Sequence, residues 1–113
     1  MKIWENGIIL VKEVYRLAAS LPGEEKFGLK AQICRAAISV PSNIAEGCSR
    51  NSNLEYKRFL EIAMGSLFEL ETQLIVIREL LLIPGEIISR LLELVHIEQK
   101  MINNLITKLK ANS

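Results

Sequence analysis

From Tyr56 to Leu81 an apolar residue returns at steps of four and three without a fault: Tyr56, Leu60, Ala63, Leu67, Leu70, Leu74, Ile77, Leu81. That alternation is the 3.5-residue period of a helix seam packed against other helices. Over about 25 residues it makes a rod of roughly 38 Å. A chain of 113 residues buries such a rod only by laying the rest of itself alongside.

The remainder reads as three more helices. The first is predicted from about Ile3 to Ser20, with Trp4, Ile8, Val11, Tyr15 and Ala18 inward; "LPGEEKFG" ends it. The second runs from about Leu29 to Gly47, the third from Asn53, where Ser52 and Glu55 have capping-box spacing. Pro84 and Gly85 end the third, and the fourth reaches about Lys110 with Ile88, Leu91, Val95, Ile102, Leu105 and Leu109 inward. Short connections make this an all-α, single-domain, up-down-up-down antiparallel four-helix bundle spanning 1–113.

Composition agrees. Half the residues are apolar but only 5% aromatic, and all thirteen acids are Glu, a residue of helix surfaces rather than turns. Cys34 and Cys48, about 21 Å apart on one helix, cannot bridge and read as buried free thiols in a reducing cytoplasm. No signal peptide is visible, and the apolar runs are too short to span a bilayer.

The second helix contains "AAISVPSNIAEG", Ala36 to Gly47. Proline removes a helix hydrogen bond, yet two stripes pass through Pro41 in register. One is apolar: Leu29, Ile33, Ala36, Val40, Ile44. The other is polar: Gln32, Arg35, Ser39, Asn43, Glu46. A helix kinked at Pro41 is expected, with Ser39 and Ser42 serving the freed groups. The rival is a break at Val40 and a short helix capped by Asn43. On the third helix Arg58, Glu61, Gly65, Glu69 and Thr72 repeat the polar spacing. Folding the two together brings Glu46 near Arg58 and Arg35 near Glu69, with Ala36, Ala37, Ala45 and Gly65 allowing close approach. This row is either a partly buried ion-pair seam that fixes alignment or a ligand-facing groove.

Chemistry is poorly supplied. Glu93 and His96 have the Glu-x-x-His spacing of di-iron bundles, which use it twice; this chain has one histidine. A single His and no Asp starve any triad. No glycine-rich phosphate loop is present. No metal, cofactor or catalytic residue is expected, and a non-enzymatic role is.

Two helices are apolar on more than one side: Ile87, Leu94, Ile97 and Met101 on the fourth, Phe59, Ile62, Phe68, Ile75 and Val76 on the third. A monomer would expose them, so a homo-oligomer is expected. In an up-down bundle one pole gathers Lys2, Arg50, Lys57, Arg58, Lys108 and Lys110 against Glu5, Glu46 and Glu55. The other pole, with Lys26 among its cations, balances, and the waist, with Glu98 among its acids, is negative. Parallel subunits in a ring would concentrate the basic pole into a binder of RNA or DNA backbone. Arg50, Lys57, Lys108 and Lys110 are its expected contacts, with Arg58 partly committed to Glu46. A protein–protein scaffold is the alternative.

"FGLKAQICRAAISVPSNIAEG", Phe27 to Gly47, and "FLEIAMGSLFELETQL", Phe59 to Leu74, resemble the 23S rRNA-intervening sequence protein family, often described simply as four helix bundle proteins. The resemblance covers nearly the whole chain. Such reading frames lie within intervening sequences of bacterial ribosomal RNA genes and elsewhere in bacterial genomes. The family is similar to the accessory variability protein of diversity-generating retroelements, a pentameric basic bundle that binds nucleic acid and reverse transcriptase. The resemblance therefore implies a homopentamer first and, on the apolar edges alone, a dimer second, with nucleic acid or a reverse transcriptase as partner. Motif positions carried over are Gln32, Arg35, Ala36, Ser39, Pro41, Asn43, Glu46, Gly47, Gly65, Ser66, Glu69, Glu71 and Gln73. The family usually has two adjacent arginines where this chain has Cys34 and Arg35, so one basic group is missing there.

Overall fold

The computed structural model describes residues 1–25 and 28–111. Lys26, counted above at the balanced pole, and Phe27, the first motif residue, lie outside the described residues. Among the described residues the chain forms four α-helices and no strand: α1 (Lys2–Ala19), α2 (Leu29–Cys48), α3 (Asn53–Glu79) and α4 (Gly85–Ala111), with one short 3-10 turn, Gly23–Glu25. The molecule measures 46 × 24 × 19 Å with a radius of gyration of 14.6 Å.

Side-chain contacts fix the directions. Arg90 near the start of α4 reaches Glu13 near the end of α1, at 3.1 Å. At the other end Met1 Sδ stands 3.9 Å from both Cys48 Sγ and Tyr56 Oη, on either side of the α2–α3 turn. The bundle is thus up-down-up-down.

The core is Leu, Ile, Val and Ala from all four helices. The α3 seam is buried from Leu60 to Ile77, and on α2 Ile33, Ala36, Val40 and Ile44 are fully or almost fully buried. α2 runs unbroken through Pro41, which removes the two-helix alternative. Pro41 has no amide proton for the Ala37 carbonyl. The Ser39 hydroxyl, expected to serve the groups freed there, instead bonds Ser66 on α3 at 2.7 Å and accepts from Asn43 Nδ2 at 3.0 Å.

α1 presents a different face from the one its large apolar residues suggest. Ile3, Gly7, Leu10, Val14, Leu17 and Ala18 are buried, while Trp4, Ile8 and Tyr15 are exposed. The true seam steps by four and three through a glycine, which apolar pattern-reading passes over. Gly7 is needed there: a Cβ would meet Pro41 Cβ at 3.2 Å and Glu98 Oε2 at 3.4 Å.

α3 starts where expected, with the Ser52 hydroxyl accepting from the Glu55 amide at 3.1 Å. It ends earlier than its seam. The Leu82 amide donates to the Ile77 carbonyl and Leu81 to Arg78, a Schellman closure that puts Leu81 in the left-handed region at φ 59°. Leu81 is therefore not the last seam residue; its side chain is 87% exposed. Leucine is a poor occupant of that backbone conformation. Leu81→Gly should stabilise the protein by about 1 kcal/mol, net of glycine's entropy, read as a higher midpoint in thermal or urea unfolding.

Candidate nucleic-acid interface

The α2–α3 turn, the start of α1 and the last turn of α4 form one pole. Folding brings Arg50, Lys57, Arg58, Lys108 and Lys110 to it. Their commitments differ from the sequence expectation. The helical turn continues past Cys48, with the Ser49 and Arg50 amides donating to the Glu46 and Gly47 carbonyls. This winds Arg50 back onto Glu46, at 3.3 Å. The Arg50 guanidinium also stands 4.8 Å from the centre of the Phe59 ring. Arg50 is therefore the committed cation, and Arg58, expected on Glu46, is exposed without an ion pair. Lys57 and Lys108 likewise have no hydrogen bond or ion pair among the described residues. Lys110 does have a partner interaction.

Helix approach at this pole depends on Gly47. A Cβ there would stand 2.9 Å from Tyr56 Cδ1 and 3.0 Å from Phe59 Cβ. Gly65, expected to do this work, is exposed with open space where a Cβ would go, and Ala45 is exposed too. The thiols are also less hidden than expected: Cys34 is half-buried and Cys48 exposed. The Cys48 thiol lies 3.5 Å from Tyr56 Oη. Burial, then the Cys48 contact, pushes the Tyr56 hydroxyl well above its ordinary value.

The polar row between α2 and α3 exists, but it is shorter and wetter than a buried seam. Two contacts cross it: Ser39 to Ser66, and Arg35 to Glu69 at 3.5 Å. Both members of the Arg35–Glu69 pair are exposed, so the pair contributes less than about 1 kcal/mol and leaves neither charge stranded. Gln32 bonds Arg35 within α2, and Asn43 donates to the Ser39 carbonyl at 2.8 Å. Glu46 belongs to Arg50. Gln73 continues the row with its Oε1 buried and unpartnered. Glu71 faces the other way, to α4, where Gln99 donates to it at 2.9 Å and His96 lies at 3.2 Å. The Gln99 amide holds the Glu71 carboxyl below its ordinary range, opposed by burial and assisted by His96. His96 is thus a surface partner of Glu71 rather than half of a Glu93 metal pair. No cluster of three or more potential metal ligands occurs among the described residues.

A group missed in the sequence is Glu98. It was counted with the solvated waist, yet it has no accessible surface, and burial raises its pKa to about 8. Being mostly neutral at pH 7, it leaves the waist less negative by about one charge. The missed signal was positional: Val95 and Ile102 are both fully buried, and a helix needs an inward residue between them.

Concave surface is modest. One recess, of about 560 Å³, lies at the opposite pole between Leu17, Ile83, Ile87 and Leu91, where Glu13 holds both Arg16 and Arg90. Two shallower grooves flank the bundle. One, about 300 Å³, runs between α1 and α2 past Trp4, Ile8 and Ile38; the other, about 360 Å³, lies between α3 and α4 beside Phe68 and Lys100. No helix of the described residues is long and apolar enough to cross a membrane.

The fold has a close experimental counterpart. A protein of unknown function from the S23 ribosomal protein family of Bacteroides thetaiotaomicron VPI-5482, with a crystal structure at 1.70 Å, superposes with a TM-score of 0.86. The match covers 92% of this chain and 97% of that one at 22% identity, and so speaks to fold alone. No curated protein matches. The family model described as 23S rRNA-intervening sequence protein matches residues 1–104, including α1, α2, α3 and most of α4. The chain belongs to the 23S rRNA-intervening sequence protein family.

Proposed function

We propose that this is a non-enzymatic, oligomeric accessory protein that binds the phosphate backbone of RNA or DNA through its basic pole. The observation that carries the reading is the set of unpaired cations there. Lys57, Arg58 and Lys108 have no acid to give up before meeting a phosphate. Cations of this kind displace condensed counterions with least competition.

Oligomerisation is supported by apolar surface on two opposite flanks. Trp4, Ile8 and Ile38 lie exposed beside the α1–α2 groove and Phe68 beside the α3–α4 groove, with Ile62 and Ile97 exposed elsewhere on α3 and α4. Different patches on opposite flanks suit a head-to-tail contact that closes into a ring, and a ring would set the basic poles side by side. Five subunits are the first expectation and two the second. Light scattering at micromolar concentration should then give a multiple of 12.8 kDa.

The binding test is a salt titration against a structured RNA and a DNA duplex. Affinity should fall steeply with salt. Reversing Arg58 and Lys108 to glutamate should weaken binding at least about tenfold at low salt and lower the salt slope by about two, with helicity and assembly mass unchanged. Absence of binding even at low salt would discard this reading for that of a protein scaffold.

A further inference from the structure

At one level of the bundle three helices present a residue foreign to an apolar buried face: Gly7 on α1, Pro41 on α2 and Glu98 on α4. They meet at one point. The place where a Gly7 Cβ would stand is 3.2 Å from Pro41 Cβ and 3.4 Å from Glu98 Oε2. Glu98 has no accessible surface, and neither carboxyl oxygen has a hydrogen-bond partner. It is the one charged or polar side chain in the buried core of the described residues.

Nothing nearby compensates a charge. Glu5 and Lys12 on α1, Arg35 and Glu46 on α2, Glu69 and Glu71 on α3, and His96 and Lys100 on α4 are all half-buried or exposed, and none bonds to Glu98. Burial is the sole cause of its raised pKa. An ionised carboxylate in such a place has to find water or a cation. Gly7, which has no side chain, lies directly against the carboxyl. α1, which carries Gly7, is joined to α2 by the longest of the three connections, Ser20 to Gly28.

We propose that Gly7, Pro41 and Glu98 form a proton-controlled latch for α1. With its proton, Glu98 is sealed beneath Gly7 and α1 stays docked. Without it, the carboxylate hydrates as α1 lifts from α2 and α4, while the all-apolar α3 seam holds the other helices together.

Amide hydrogen exchange on the full chain between pH 6 and 9, corrected for the intrinsic pH dependence, tests this. Amides from Ile3 to Val14 should gain about tenfold or more in excess exchange, and α3 amides from Leu60 to Ile77 should not. Glu98→Gln should abolish the excess, and Glu98→Met serves if the glutamine variant folds poorly. A carbon-13 carboxyl titration should place Glu98 outside the ordinary carboxylate range. An excess shared equally by α3, or one that persists in both variants, would overturn the latch. So would ordinary carboxylate titration of Glu98.

Discussion

Glu98→Leu should raise the thermal unfolding midpoint at pH 8 by about 10 °C or more. The carboxyl binds its proton more tightly in the folded bundle, at about 8, than at the ordinary 4.5. Stability attributable to this group is therefore complete below about pH 4.5. It declines as pH rises toward 8 and stays low beyond. The full span corresponds to about 5 kcal/mol. Leucine removes the ionisation and keeps the volume, so the variant should gain most at alkaline pH and show a flatter profile. Urea unfolding of both proteins from pH 4 to 9 reads this directly. Parallel profiles would mean that Glu98 is solvated in the native state.

Gly47→Val should be the most damaging single change at the α2–α3 contact. Even alanine sets a Cβ 3.3 Å from the Tyr56 carbonyl oxygen and 3.0 Å from Phe59 Cβ, which are a backbone atom and the root of a side chain. Neither can rotate away, so the helices must separate. A loss of about 2–3 kcal/mol is expected for alanine and more for valine. Gly65→Ala is the contrasting control. It meets open space on an exposed helix surface, so it should be neutral or stabilise by up to about 1 kcal/mol through helix propensity. Circular dichroism melts of the three variants distinguish a packing effect from a general cost of losing glycine.

The architecture was legible because α2 and α3 write their buried faces in large apolar residues at unbroken spacing. Pro41 did not hide α2, since the stripes on both sides of it stay in register. α1 misled for the opposite reason: its outward face is the greasier one, with Trp4, Ile8 and Tyr15, and its inward face passes through Gly7. Hydrophobicity ranks residues by what they would gain from burial, whereas a glycine's place is set by what presses against it, here Pro41 and Glu98 on two other helices. Glu98 failed to register for a related reason, because charge on a helix ordinarily marks solvent. At the basic pole the residues were identifiable but not their pairings. Arg50 reaches Glu46 because the α2 turn persists past Gly47, a matter of one or two residues at a helix end that spacing does not resolve.

The dimensions of the subunit bear on how its assembly is weighed. A body of 46 × 24 × 19 Å is about twice as long as it is wide, and its 14.6 Å radius of gyration exceeds the roughly 13 Å of a globular chain this size. Such a rod tumbles and diffuses more slowly than a sphere of equal mass. On a gel-filtration column calibrated with globular standards a lone subunit would elute early and pass for a larger species. A flat ring of rods laid side by side would deviate less, so the column would compress the difference between one subunit and several. Sedimentation velocity resolves friction from mass and reports the subunit count without that bias.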